Sequence, residues 1–392
     1  MNKRIIFILC NIIFLLAGCW DEQPIEEHGF AIGSSIDLAE EKNEGTYNVM
    51  FTSQFVVTSG FGTPAQGSGG GKKSFMNLSV TGESIFESSR EMSTKTSLTP
   101  FYEHLKVIVV SSDIAKEPNL FSSLMDIFLR DHEMRRGIRV AVTEGEAKSL
   151  LEINPENEKL PAMYINEVLK KNAKSIEVMD PVTMGVLQQY LLTKSSYVLP
   201  MLLSEENEIN SEGGAVFHGQ ENKMIGTLSN DEMKGLNFIK GKVNGGIVNL
   251  EVDGQSVIYE IKNARSQIKI DTQNPNNMNI SVSIKAEGSI GEKFGSQSLK
   301  DPKYQAKLEK NVGKAIEQLA MKSLEKGQNE LNADIYGFDS ILKQKHYDVW
   351  KEVKDKWITG DQLFTKTNVQ ISAEAIVRSI GSSDVTHEKG VE

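Results

Sequence analysis

The chain has 392 residues, of which 39% are hydrophobic and 24% are charged, and its formal net charge at pH 7 is −10. This length is sufficient for two or three domains, each with a buried core. The acidic balance argues against nucleic-acid binding and against electrostatic adhesion to a membrane surface that carries anionic lipid.

The N-terminus has the pattern of a bacterial lipoprotein signal. Residues 1–4 are basic overall and residues 5–16 are mostly apolar, and a small-residue cleavage site then ends on a cysteine, in the order Leu16, Ala17, Gly18 and Cys19. The apolar run is about a dozen residues long, whereas a helix that crosses a bilayer needs roughly 20. We therefore predict a signal peptide over residues 1–18, cleavage before Cys19 and a lipid on its thiol. The alternatives are an ordinary secretory signal and an N-terminal membrane span.

The chain contains two cysteines, Cys10 and Cys19. Cys10 lies in the apolar part of the signal and is lost on cleavage, while the lipid blocks Cys19. We therefore predict that the mature chain has no disulfide and no thiol available for catalysis or zinc binding.

Residues 19–200 are predicted to form an N-terminal α/β domain. Strands at residues 30–37 and 47–57 form a hairpin. The Gly/Ser-rich segment 59–73 is predicted to be a flexible loop, because its formal match to a dinucleotide-binding pattern places Pro64 in the turn and no amphipathic helix follows. The elements that come next alternate in type, as is typical of a mixed α/β class. They are strands at 76–80, 105–110 and 138–142 and helices at 84–96, 120–130, 144–151, 161–172 and 182–192.

Residues 201–262 are predicted to form a small middle α/β domain. Its polar start, residues 200–214, is consistent with either a linker or a long hairpin. A helix over residues 230–238 begins with a capping box formed by Ser229 and Glu232. The strands of this domain are predicted at 214–217, 223–228, 245–251 and 256–263.

Residues 263–385 are predicted to form a C-terminal α/β domain, followed by a tail over residues 386–392. Residues 301–329 carry an apolar stripe at helical spacing and form the clearest helix of the chain. The other elements are strands at 266–270, 279–288, 368–371 and 375–380 and helices at 338–345 and 348–356. The sequence thus predicts an elongated three-domain protein of the mixed α/β class, with each domain a mixed sheet packed with helices.

Motifs that carry known chemistry are absent from the sequence. The six histidines show no metal-ligand spacing, and no nucleophile elbow or phosphate-binding loop is present. The charged run 130–136 around His132 is consistent with a phosphate site or, more simply, with a surface ion-pair network. Trp350 and Trp357 are seven residues apart and could share a helix face, where packing is a simpler explanation than a ligand cage. We predict no catalytic residue, no metal and no cofactor.

A series of short motifs, in this order, resembles the Ger(x)C family, the C subunits of spore germinant receptors. They are residues 18–21 (GCWD), 33–37 (GSSID), 81–85 (TGESI), 104–109 (HLKVIV), 129–131 (LRD), Arg135, 214–217 (GAVF), 223–229 (KMIGTLS), 334–338 (DIYGF), Trp350 and Trp357. The resemblance covers essentially the whole mature chain. It departs from the family at the Gly/Ser segment 59–73, which is longer than the family leads us to expect.

The resemblance implies a lipoprotein of three α/β domains on the outer face of the inner spore membrane. Its implied partners are a multi-pass A subunit and a transporter-like B subunit, and the complex senses nutrients such as amino acids, sugars or nucleosides and starts germination. The family has no established catalytic residues, so it implies Cys19 alone as a functional site.

The residues and the resemblance together predict a non-enzymatic, lipid-anchored receptor subunit that works through protein contacts and binds no nucleic acid. The main alternative is a solute-binding lipoprotein that captures the germinant itself. A third class, a surface hydrolase, requires a cleft in which His, Asp, Glu or Ser side chains converge.

Overall fold

The computed structural model describes residues 27–43, 46–61, 73–170, 175–205, 207–294, 297–360 and 362–379. The predicted signal peptide, the lipobox from Leu16 to Cys19, most of the predicted Gly/Ser loop and the predicted C-terminal tail lie outside the described residues.

The first nine described strands form one large mixed sheet. They are β1 (His28–Asn43), β2 (Thr46–Val56), β3 (Phe75–Gly82), β4 (Thr99–Phe101), β5 (Val107–Ser111), β6 (Arg139–Thr143), β7 (Tyr197–Glu205), β8 (Glu208–His218) and β9 (Lys223–Leu228). Their order is β3-β2-β1-β5-β6-β7-β8-β9, and β4 pairs with the start of β1. The central pairs, from β1 through β5 and β6 to β7, are parallel, and the outer pairs are antiparallel.

The centre of the large sheet is buried on both faces. Every residue of β5 is buried, and successive side chains of a strand point to opposite faces. Val107 and Val109 accordingly belong to one hydrophobic core, while Ile108 and Val110 belong to another. The unbroken apolar run in the sequence is therefore the signature of a parallel strand covered by helices on both sides.

In the described part of the chain, six α-helices cover the two faces of the large sheet. They are α1 (Ile85–Lys95), α2 (Ser112–Lys116), α3 (Leu120–Arg130), α4 (Ala147–Leu150), α5 (Pro161–Val168) and α6 (Met184–Thr193). The buried residues of α1, α2, α3 and α6 join one core, and those of α4 and α5 join the core on the other face.

A second sheet contains the remaining four described strands. They are β10 (Ile247–Val252), β11 (Gln255–Asp271), β12 (Asn279–Lys293) and β13 (Asn368–Ser379), in that order across the sheet. The β12–β13 pair is parallel and the other two pairs are antiparallel. The helices of this part are α7 (Asn230–Lys240), α8 (Pro302–Glu325), α9 (Phe338–Lys345), α10 (Tyr347–Val353) and α11 (Leu363–Lys366), and one π-helical turn, Lys326–Glu330, continues α8.

Helix α8 closes the outer edge of the second sheet. The carboxylate of Glu317 accepts the backbone N–H of Ala373 at 2.9 Å, and that of Glu309 accepts the N–H of Val377 at 3.0 Å. The Gln305 amide donates to the carbonyl of Val377 at 3.3 Å. An unpaired strand edge is a template for pairing with another chain, and these side chains occupy two of the donors and one of the acceptors on the open edge of β13.

One hydrophobic core joins the two sheets. Val198 and Val216 of the large sheet belong to the same core as Met233 of α7 and Val257 of β11. Residues of α7 also form ion pairs. The ammonium of Lys234 is 2.8 Å from the carboxylate of Glu177, and a second pair, Lys322 with Asp231 at 3.1 Å, links α8 to α7.

The predicted mixed α/β class is confirmed, and residues 200–214 form the predicted long hairpin, β7–β8, rather than a linker. The prediction of separate strands at 256–263 and 266–270 is wrong, because β11 is continuous. A register shift between Ile261 and Asn263 changes which alternate residues are buried, so one bulged strand has the sequence pattern of two. Strands 368–371 and 375–380 are likewise predicted apart but belong to one strand, β13. The division into three domains remains a prediction.

Candidate functional site

The motif at residues 33–37 ends in a buried carboxylate that caps a helix. Asp37 accepts the backbone N–H groups of Ala147 and Lys148, the latter at 3.0 Å, where α4 begins. Burial raises the pKa of the Asp37 carboxyl to about 6, although the two backbone hydrogen bonds oppose this shift. The position of Asp37 therefore explains this motif by folding, because the carboxylate ties β1 to a segment that is distant in sequence.

Replacing Asp37 with asparagine is expected to remove a pH-dependent loss of stability. Because the pKa of Asp37 is raised to about 6 in the folded chain, the folded state binds this proton more tightly than the unfolded state does. Its contribution to the free energy of unfolding is greatest below about pH 4 and falls as the pH rises through about 6. Thermal unfolding of both proteins between about pH 4 and pH 7 measures this effect. We expect the melting temperature of the wild type to fall relative to that of Asp37→Asn, and a rise would contradict the assignment.

The motif at residues 334–338 is built around a second buried carboxylate. Asp334 accepts the backbone N–H groups of the four residues 336–339 at 2.7–3.2 Å and the indole N–H of Trp357 at 2.9 Å. Burial and the neighbouring carboxylate of Asp339 raise the pKa of Asp334, and the hydrogen bonds act in the opposite direction by favouring its charged form. This motif is also explained by folding, because its carboxylate holds the start of α9 against the buried indole.

The two tryptophans do not share a helix face. Trp350 is half-buried on α10, which ends at Val353, and Trp357 lies beyond that end and is buried. The helix predicted over 348–356 therefore ends earlier than expected, at Val353. One indole ring is half-buried on this helix, and the other is buried beyond its end.

The charged run at residues 130–136 is a surface ion-pair network. Arg130 lies 2.5 Å from Asp126, and Arg135 lies 3.6 Å from Glu103. The side chain of His132 is 94% exposed and 3.7 Å from Asp131. Of the two interpretations of this run, the simpler one is confirmed. Across the described ranges, no three His, Cys, Asp or Glu side chains are placed to hold a metal ion together.

Two further motifs, residues 81–85 and 129–131, meet at an exposed groove between α1 and α3. We define the α1–α3 groove by its lining residues Ser84, Ile85, Phe86, Leu124, Ile127 and Arg130. The groove contains a cavity of about 600 Å³, and a smaller cavity beside it shares Ile85, Phe86 and Ile127. Both motifs therefore contribute residues to a groove that is open at the surface.

Local structure at the start of α1 sets the shape of the groove. The hydroxyl of Ser84 accepts the N–H of Glu87 at 3.5 Å and caps the helix. Ile85 then turns into the core, whereas the next residue, Phe86, is 52% exposed. The guanidinium of Arg90 lies 5.2 Å from the centre of the Phe86 ring, within the range of a cation–π contact.

The sequence pattern predicts that one face of α1 contains Ile85, Phe86, Ser89 and Met92, and the structure corrects this for Phe86. Ile85, Ser88 and Met92 face the core, and Phe86, which points about 100° away from Ile85 around the helix, lies outside that face. In the sequence, the exposure of Phe86 is indicated by two large apolar residues in a row where only the first continues the core-facing positions of the helix.

Carboxylates outnumber cations along the groove. The lining of the two cavities includes four carboxylates, from Glu83, Asp126, Asp131 and Glu133, and two guanidinium groups, from Arg90 and Arg130. Tyr102 lines the smaller cavity, and its hydroxyl accepts a hydrogen bond from Ser89 at 3.1 Å. The groove is therefore suited to non-covalent contact with an apolar group that carries positive charge beside it.

None of the helices in the described part of the chain has both the length and the apolarity needed to cross a bilayer. The predicted site residues Leu16, Ala17, Gly18 and Cys19 lie outside the described residues, so the structure does not place them.

Known proteins match the chain along most of its length. Residues 21–203 match the spore germination protein N-terminal domain, and residues 212–381 match the family described as spore germination B3/GerAC like, C-terminal. The spore germination protein YndF of Bacillus subtilis is 28% identical over 393 residues, which is 96% of each chain. Spore germination protein B3 of the same organism is 25% identical and covers 96% of this chain and 97% of its own.

The fold also matches a solved structure. The crystal structure of the GerBC protein superposes with a TM-score of 0.61 at 21% sequence identity, and the match covers 88% of this chain and 97% of that protein. The two family matches together extend over both sheets. The chain therefore belongs to the Ger(x)C family of spore germination proteins.

Proposed function

We propose that this protein is the lipid-anchored C subunit of a nutrient germinant receptor and that it acts in the initiation of spore germination through protein–protein contacts rather than catalysis. The observation that carries the proposal is the pair of family matches, which extend over residues 21–203 and 212–381. The exposed α1–α3 groove supports a role in contacts, and the two buried aspartates support a structural role for the other motifs.

The lipobox supports anchoring at the outer face of the inner spore membrane. A diacylated cysteine carries two long chains, and two chains hold a protein stably where one does not. Cys19 is followed by a short acidic segment, residues 20–27, before β1 begins at His28. The body of the protein would then sit close to the membrane, within reach of a multi-pass A subunit and a transporter-like B subunit.

Labelling and co-purification of Cys19→Ala test this proposal. Cultures that express the wild type, Cys19→Ala or the matched control Cys10→Ala form spores in the presence of labelled palmitate. Each protein is then purified from detergent-solubilised spore membranes. We expect label and a co-purifying multi-pass subunit with the wild type and with Cys10→Ala. Cys19→Ala should carry no label, retain residues 1–18 by mass spectrometry and recover much less of the partner.

Two outcomes would contradict the proposal. Label that persists in Cys19→Ala would contradict the attachment site. A wild-type protein that purifies without any membrane subunit would contradict the receptor assignment.

Germinant capture is the second candidate function, because the cavity of about 600 Å³ is within the size range of small-molecule sites. Calorimetric titration of residues 20–392 with amino acids, sugars and nucleosides tests it. The subunit proposal predicts no binding heat, and saturable binding would favour the solute-binding lipoprotein.

A further inference from the structure

We infer that the α1–α3 groove binds an amphipathic helix of a membrane subunit, with an apolar residue against Phe86 and basic residues toward the surrounding carboxylates. This inference rests on the proposed function, and it adds the contact surface and the chemistry of the partner segment.

The floor of the groove provides the apolar contact. Ile85 and Leu124 are buried, and Phe86 presents a ring that is 52% exposed at the edge of the cavity. Large aromatic residues beside a pocket, surrounded by polar groups, are typical of residues that dominate binding energy in protein interfaces. A partner residue that covers this ring would remove apolar area from water on both sides of the contact.

The two helices that flank the groove are long enough to accommodate a third helix. Helices α1 and α3 each have 11 residues, which corresponds to roughly 16 Å at 1.5 Å per residue. A third helix of about three turns laid between them can present apolar side chains at i, i+3 or i+4 and i+7 along one face.

The charges of the groove select the partner. Asp126 and Asp131 lie on the α3 side and Glu133 lies beside the smaller cavity. Arg130 is already paired with Asp126, and Arg90 lies over the Phe86 ring. The excess of carboxylates favours a segment with Lys or Arg on either side of its apolar face.

The same charges argue against the other occupants. The segment of this chain before β1 contains Asp21, Glu22, Glu26 and Glu27, and would be repelled by the groove. A second copy carries the same excess of acidic residues and would be repelled as well. Anionic lipid headgroups would be repelled as well.

Binding is tested with groove variants of the full-length protein in spore membranes. Phe86→Ala removes the exposed ring, and Phe294→Ala is its matched control, because Phe294 is 53% exposed and lies next to the second sheet. Asp126→Lys reverses a groove charge, and Asp113→Lys reverses an exposed charge on α2. We expect recovery of the membrane subunit to fall at least about tenfold with Phe86→Ala and Asp126→Lys, and to stay at the wild-type level with both controls.

Photo-crosslinking identifies the occupant directly and does not depend on loss of binding. Full-length protein with Phe86→p-benzoylphenylalanine is irradiated in spore membranes, and the crosslinked peptide is sequenced. We expect a peptide from a multi-pass subunit that has apolar residues at helical spacing and Lys or Arg on either side of that apolar face. A crosslink to residues 20–27, to a second copy or to lipid would overturn the inference.

The controls separate this inference from the proposed function. If the wild type recovers a membrane subunit and the groove variants recover as much as their controls do, the groove assignment is wrong and the receptor assignment stands. If the wild type recovers no membrane subunit, the receptor assignment itself fails.

Discussion

Replacing Asp334 with alanine is expected to lower the free energy of unfolding by about 4 kcal/mol or more. The change removes a buried charged acceptor and leaves four backbone N–H groups and the indole N–H of Trp357 without it. Each unsatisfied buried donor costs about 1–3 kcal/mol. Urea denaturation followed by far-UV circular dichroism measures the loss. Asp334→Asn should recover little of the lost stability. Its NH₂ group replaces one carboxylate oxygen and cannot accept the hydrogen bonds that this oxygen now accepts.

Two matched substitutions control for this effect. Asp348→Ala removes an exposed carboxylate from the first turn of α10 and should cost less than about 1 kcal/mol. Trp357→Phe keeps a buried ring but removes one donor to Asp334, and should cost more than Trp350→Phe, where the indole is half-buried. Equal losses for Asp334→Ala and Asp348→Ala would show that the buried carboxylate does not organise this part of the fold.

The second large effect is expected at Gly235, where α7 crosses α8. A Cβ atom at this position would lie 2.1 Å from the carbonyl oxygen of Leu319 and 2.7 Å from the Cβ of Ser323. Because the first of these is a backbone atom of a 24-residue helix, relief requires the two helices to move apart. We expect Gly235→Ala to lower the free energy of unfolding by about 3 kcal/mol, the upper end of the range for overpacked cores.

Gly137→Ala is the control for Gly235→Ala. A Cβ at Gly137 would meet no heavy atom within 4 Å, and its backbone is outside the left-handed region. The free energy of unfolding should change by no more than about 0.5 kcal/mol. If both substitutions have the same small effect, the two helices are not in the close contact described above.

Elements with strong local signals could be predicted from the sequence. The capping box of Ser229 and Glu232 predicts the start of α7, and both of its hydrogen bonds are present. The apolar run 105–110 predicts a buried strand, and β5 is buried throughout. In each case the deciding interaction lies within a few residues, so the sequence pattern contains it.

Interactions between distant segments could not be predicted in this way. The helix that Asp37 caps begins at Ala147, and the parallel pairing of β12 with β13 crosses most of the C-terminal part of the chain. The α1–α3 groove likewise forms between helices that are separated along the chain by β4, β5 and α2. Neither helix alone shows which of its apolar residues will be exposed, since this depends on where the other one packs.

The second sheet cannot be completed during synthesis until β13 (Asn368–Ser379) has been made. The large sheet is complete at Leu228, but β12 meets its parallel partner only after residues 294–367 have been made. Until then Ile280, Val282 and Ile284 belong to a strand with one open edge, a form of intermediate that is prone to aggregation. A premature stop shortly before Asn368 would therefore leave a folded large sheet attached to an incomplete second sheet whose open edge is prone to aggregation. Such a stop should be as harmful in the cell as a much earlier one.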